Sequence, residues 1–221
     1  MKFRACLMAV AFVFGCLTAQ AAEDIATGLI TAYNFEAGSG TTVEDVAGSN
    51  DGTVSGTEFS TTAKNGTYSM DFSGDASRDH VDMGTMDIPG SACTIMMWFN
   101  TRGFSGTNGD QRLISKNFIT GTGQQDHIWM ISGWRDHNLR FRLKTGTDAL
   151  AGSSNLITGT TGAPKFADNE WVHVACTYDG ANIAIYINGA SAATAPQTGD
   201  IYQDATVPAY LGDTTASSTT A

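Results

Sequence analysis

The chain has 221 residues and carries 12 Lys and Arg against 22 Asp and Glu, a formal charge of −10. So acidic a surface excludes nucleic acid and anionic membrane as partners, because their phosphates need a basic footprint. Thr, Ser, Gly, Ala and Asp fill the sequence and long runs of Glu, Lys and Leu are missing, so a single β-domain of about 200 residues with a buried core is expected.

Residues 1–21 read as a targeting segment rather than as part of the fold. Lys2 and Arg4 precede an apolar run over 5–17, and Ala19-Gln20-Ala21 puts small residues where a signal peptidase reads. The run is shorter than the roughly 20 residues that span a bilayer. Cys16 offers a lipid-attachment site, but bulky Phe14 fits that pattern poorly. An exported protein is expected, in the extracellular space, the periplasm or at the cell surface. Without Lys2 and Arg4, ten cations face 22 acids, a charge of −12. No later stretch is apolar enough to cross a membrane.

Residues 29–36 alternate as a strand and lead into a Gly-rich excursion. There Asp45, Asn50 and Asp51 cluster beside Gly48 and Gly52, and oxygen ligands on an irregular loop are what calcium prefers. Turn formation by the same Asp and Asn residues is the equal alternative. Residues 70–83 form a second pair of short strands, with His80 in a solvated turn. Over 91–100 a core strand puts Cys93, Ile95, Met97 and Phe99 on one face and Trp98 on the other. Once the targeting segment is gone, Cys93 and Cys176 are the only cysteines. They are a disulfide candidate in an exported protein, or two buried thiols acting as small hydrophobes.

The hairpin over 124–145 is chemically the most suggestive. His127, Trp129 and Ile131 alternate with Ile128 and Met130, residues 133–138 turn, and Leu139, Phe141 and Leu143 face the core. Arg140, Arg142 and Lys144 then share the opposite face, three of ten cations within five residues. Indole faces stack on pyranose rings and Arg forks bind carboxylate or sulfate. His127, Trp129, Trp134, Arg140 and Arg142 are therefore the candidate carbohydrate site. Against this stands a plain structural role, with Arg stems covering the sheet and pairing with acids.

Residues 170–191 hold two strands and two turns. Val172, Val174, Cys176 and Tyr178 point one way, with Trp171, His173, Ala175 and Thr177 the other. Asp179-Gly180 turns, Ile183, Ile185 and Ile187 resume the alternation, and Asn188-Gly189 closes a hairpin. The strings WVHVACTYDG and IAIYING resemble laminin G-like modules of the concanavalin A-like lectin/glucanase superfamily. Residues 29–56, 69–83, 93–99 and 113–116 resemble the blocks that precede them, in order. The resemblance implies an all-β fold, an antiparallel β-sandwich of jelly-roll type over residues 22–221, and makes His173 a core or underlying histidine. It also implies a structural calcium near Asp45, completed by an Asp from a last strand. Tyr210-Leu211-Gly212 resembles the family's penultimate block, yet no apolar strand follows it. The sequence thus reads as lacking its last, central strand, with adjoining sequence or domains expected beyond residue 221.

Catalysis is not expected. The five glutamates after residue 21 (Glu23, Glu36, Glu44, Glu58 and Glu170) do not form the glucanase strand motif. Gln125, His127, Arg140, Arg142 and Tyr186 have the residue types of the family's lyases without their motifs. The expectation is a secreted, non-catalytic binding module for carbohydrate, acting in adhesion or targeting. A polysaccharide hydrolase or lyase and a protein-binding module at the cell surface are the alternatives.

Overall fold

A computed structural model describes residues 2–11 (as a backbone path), 28–72, 79–104, 110–119, 125–147, 153–159 and 162–213. Among these there are sixteen strands and no helix. In chain order they are β1 (Lys2–Ala11), β2 (Thr31–Tyr33), β3 (Thr42–Val43), β4 (Gly52–Ser55), β5 (Glu58–Ser60), β6 (Ser69–Phe72), β7 (His80–Asp82) and β8 (Cys93–Arg102). There follow β9 (Gln111–Ile119), β10 (Gln125–Trp134), β11 (Asn138–Leu143), β12 (Ser154–Ile157), β13 (Trp171–Tyr178), β14 (Asn182–Ile187), β15 (Ala190–Pro196) and β16 (Ala209–Leu211).

Two antiparallel sheets result. The first runs β15-β14-β13-β8-β1-β6-β5, with β2 also on β1; the second runs β12-β11-β10-β9-β16-β7-β4-β3. Their inner faces interlock, Ile95, Met97, Phe99, Val174 and Cys176 from one against Ile114, Trp129, Ile131, Phe141 and Leu143 from the other. The strict buried/half-buried alternation of β13 is the period-two pattern of a sheet with one face in the core. The all-β sandwich expected from sequence is the architecture found.

The hairpin turns follow their residues. Asn188 and Gly189 take φ of 50° and 81°, the paired positive angles of a tight turn whose twist suits the strands. Asp136 and His137 do the same at 57° and 58° without a glycine, in a backbone region that Asp and His enter more readily than most.

One placement departs from the sequence reading. Lys2–Ala11, expected to stand outside the fold, lies antiparallel between β8 and β6 in the middle of the first sheet. The slot needs a strand, since β8 and β6 would otherwise face each other across a gap with unpaired backbone groups. A central position of the first sheet is thus occupied by the start of the chain. Residues 12–27 and 214–221, which hold the expected cleavage site and the Thr/Ser tail, lie outside the described residues.

Candidate functional site

The outward face of the second sheet carries the predicted cations. Cross-strand register sets Met130 opposite Arg142, Ser132 opposite Arg140 and also opposite Arg112, and His127 opposite Asn117. Arg112, Arg140, Arg142 and His127 therefore share one face. Arg112 was not singled out from sequence, since only the β9–β10 register brings it there.

His127 is the pivot. It is 2 % exposed, with Arg142 Nη1 3.0 Å from its Nδ1 and Arg112 Nη2 3.4 Å from its Nε2. Burial, reinforced by the Arg112 and Arg142 charges, pushes its pKa down to about 3. The ring is neutral near pH 7. Arg112 also donates to Gln125 Oε1 at 2.7 Å, drawing Gln125 into the group.

Asp110 is the carboxylate that answers these cations. It accepts from Arg140 Nη1 at 2.7 Å and from Ser132 Oγ at 3.1 Å, and lies 3.6 Å from Arg112 Nη1. Burial works to raise its pKa, but the Arg112 charge and the Arg140 hydrogen bond outweigh that and hold it low. Asp110 has a φ of 75°, a strained angle for a residue with a side chain. Arg140 also donates from Nε to Asn155 at 2.6 Å and lies over the Trp134 ring, 4.3 Å from its centroid. Arg112 and Arg140 thus pair with Asp110, while Arg142 feels Asp110 and Asp126 only through space. Among the described residues, the buried Nε atoms of Arg112 and Arg142 have no hydrogen-bond partner. Desolvation, together with repulsion from neighbouring guanidiniums, lowers the pKa of both arginines. Such orphaned buried donors are places where an added acceptor would be favourable.

Two predicted members are not in this group. Trp129 is fully buried and sits opposite Leu143 in the core, so it offers no face to a sugar. The cause is a bulge: the β9–β10 register shifts between His127 and Trp129 and puts two residues expected on one face on opposite faces. Lys144 is also fully buried, ion-paired with Asp126 and close to the Phe118 and Tyr202 rings rather than beside the arginines. Tyr186, one of the lyase-type residues, stands on β14 in the other sheet. Trp134 remains on the face, half-buried beneath Arg140.

A laminin G profile, described as the concanavalin A-like lectin/glucanases superfamily, matches residues 73–221. The chain belongs to that superfamily. No curated protein matches the sequence. Among solved structures, this laminin G-like domain resembles an endo-β-1,4-glucuronan lyase from the fungus Trichoderma reesei, at 15% identity and TM-score 0.52, over 73% of this chain and 74% of that one. It also resembles the binding domain of botulinum neurotoxin serotype D, at 15% identity and TM-score 0.52, over 79% of this chain but 42% of that one. A third is domain 4 of AbnA, an extracellular arabinanase from Geobacillus stearothermophilus, in complex with arabinotriose, at 14% identity and TM-score 0.50, over 95% and 84%. At such identities the likeness is one of fold, a fold that serves binding domains and glycan lyases alike. No helix among the described residues is long and apolar enough to cross a membrane.

The calcium expectation meets a loop already committed elsewhere. Asp45 accepts backbone N–H groups of Ala32, Ala47 and Asn50 at 2.9, 3.1 and 3.0 Å, and Asp51 Oδ1 accepts that of Asp45 at 2.9 Å. The Asn50 carbonyl accepts the Tyr33 hydroxyl. Oxygens aimed at N–H donors are not aimed at a cation, and no metal-ligating cluster of His, Cys, Asp or Glu occurs among the described residues. These hydrogen bonds are those of a turn-forming loop, the alternative that the sequence also offered.

The disulfide expectation is corrected as well. Cys93 pairs in register with Tyr178, and Cys176 with Ile95, so the two cysteines are diagonal neighbours on adjacent strands. That geometry separates Cα atoms by about 7–8 Å, beyond a disulfide's reach. Both are free and buried, and burial pushes the Cys93 thiol up to about 12 and Cys176 well above its ordinary value.

Proposed function

We propose that this is an exported, non-catalytic binding module for acidic carbohydrate, gripping carboxylate or sulfate groups with Arg112, Arg140 and Arg142. The observation that carries it is the clustering of three guanidiniums around Asp110 and His127, with two buried Nε donors unpartnered among the described residues, in a chain of net charge −10. An anionic sugar would supply the missing acceptors, and Trp134 at the edge supplies an aromatic surface. Export rests on the targeting pattern of residues 1–21, the segment whose residues 2–11 form β1 here, so its removal on export would leave the place between β8 and β6 to another strand. A few such contacts give affinities from millimolar to tens of micromolar, which suits tethering and avidity.

A second reading is favoured by one observation. Gln125, His127, Arg112 and Arg142 meet on one face, the residue types of a uronate lyase. Against it, a histidine titrating near 3 is a poor general base at neutral pH, and Tyr186 lies in the other sheet.

The test is titration of the full chain with oligouronates, sulfated oligosaccharides and neutral glucans, alongside an assay for unsaturated uronates. Binding of the anionic sugars, weakened in Arg142→Ala at unchanged melting temperature and without product, is the expected result. Sustained turnover lost in His127→Gln would make the protein an enzyme. Silence toward every glycan would move the assignment to a cell-surface protein partner.

A further inference from the structure

The outward face of the first sheet holds a groove that the reading above does not use. It is an open depression of about 550 Å³ lined by Lys64, Trp98, Trp171, His173 and Asn188. Trp98 on β8 lies directly opposite His173 on β13, with ring centroids 5.2 Å apart, and Trp171 stands one outward step along β13. Asn188 closes the far side. Its Oδ1 accepts the His173 backbone N–H at 2.9 Å and its own N–H donates to the His173 carbonyl at 2.8 Å. His173, expected beneath the surface, is therefore an outward, half-buried residue whose bonds to Asn188 are made by its backbone. Lys64, on the loop after β5, holds its ammonium 4.6 Å from the Trp98 ring centroid.

We propose that this groove is a second carbohydrate subsite, taking a pyranose ring that carries an anionic group. Two of the four tryptophans are half-exposed in one concavity, where a solvated sheet face needs no indole at all. Indoles in that setting offer flat apolar surface to the C–H face of a sugar. Asn188 and the His173 ring stand within the same hollow for the hydroxyls. The sign of the ligand follows from the lining, which has one cation and no carboxylate although acids outnumber cations in the chain by 22 to 12. Lys64 supplies the anion's partner. Its ammonium, resting on the Trp98 ring, is a mobile point charge that can transfer to a carboxylate or sulfate at the groove's mouth. The lining comes from the first sheet and its flanking loops, so the site is independent of the guanidinium face.

The experiment uses the full chain in an Arg142→Ala background, which silences the other face. A hexa-uronate, a sulfated galactan hexamer and a neutral glucan hexamer are titrated, read by calorimetry and indole fluorescence. Retained binding of at least one anionic hexamer is expected, weakened ten-fold or more by Trp171→Ala, with Trp171→Phe keeping most of it. Lys64→Ala should lose the preference for the anionic over the neutral hexamer without abolishing binding. If Trp171→Ala fails to fold, Lys64→Ala and Trp171→Phe carry the test. No binding by the Arg142→Ala chain, or affinity indifferent to both Trp171 and Lys64, would overturn the proposal. A neutral hexamer bound more tightly than both anionic ones would overturn the assigned ligand. Loss of binding on Arg142→Ala alone, with no residual fluorescence change, would leave the guanidinium face standing and sink the groove.

Discussion

Both sheets turn an outward face away from the shared core, but they fill it with opposite chemistry. On the second sheet, Arg112, Arg140, Arg142 and His127 crowd together under heavy burial, held by Asp110 and short of acceptors. On the first, Trp98, Trp171 and His173 line an open groove with a single lysine resting on it. The contrast separates two ways of meeting an anionic polymer. One stores unbalanced charge in a low-dielectric setting, where each ion interacts strongly and each missing partner is costly. The other offers flat apolar surface in water, where charge adds selectivity more than energy.

The largest effect that would break this comparison is loss of the strand beside the groove. A chain starting at Ala22 lacks β1 and leaves β8 and β6 unpaired in mid-sheet. It should lose its sharp melting transition or aggregate, unless another segment enters the slot. A cooperative, monomeric melt of that chain would show that β1 contributes little to the first sheet.

Next comes Trp129, which sequence assigned to the sugar-binding face and structure assigns to the core. Trp129→Ala should cost about 3–5 kcal/mol in chemical denaturation, through transfer and cavity terms. Trp171→Ala in the groove should stay within about 1 kcal/mol. Equal costs would erase the distinction between the buried and the exposed indole.

The charged face should also make stability depend on pH. His127 titrates near 3 in the folded chain against 6.5 ordinarily, so below 6.5 the unfolded chain binds a proton that the fold refuses. Its contribution is fully present above pH 6.5 and falls as pH drops toward 3, by up to ~1.4 kcal/mol per unit. His127→Gln should flatten the slope between pH 6.5 and 4.5, where carboxylates contribute least. An unchanged slope would mean the ring is not held neutral between the arginines.

Two smaller effects complete the series. Arg142→Ala relieves repulsion from Arg140 and removes a buried unpaired donor, so stability should shift by less than about 1 kcal/mol while acidic-sugar binding falls. Asp45→Ala should lower the melting temperature by stranding three backbone N–H groups, whereas chelator alone should leave it unchanged. A chelator-sensitive melt restored by calcium would establish the metal reading instead.

Local pattern sufficed for much of this protein. Alternation in β8, β13 and β14 with the Asn188-Gly189 turn specified antiparallel strands with one buried side, because period two is a property of each strand alone. The clustering of Arg140 and Arg142 was legible for the same reason. What pattern could not reach was register. Arg112 and Asp110 join the site only through pairing of β9 with β10 and the approach of β11, and a single bulge sends Trp129 inward while His127 stays outward. The cysteines read as a plausible bridge until register made them diagonal rather than opposite. The Asp45 loop read as calcium chemistry or as turns, and only the fold shows the backbone N–H groups that turn back onto its carboxylate. Sequence determined which residues face the same way along one strand; only the tertiary structure decided which strands stand side by side, and hence which charges, rings and thiols meet.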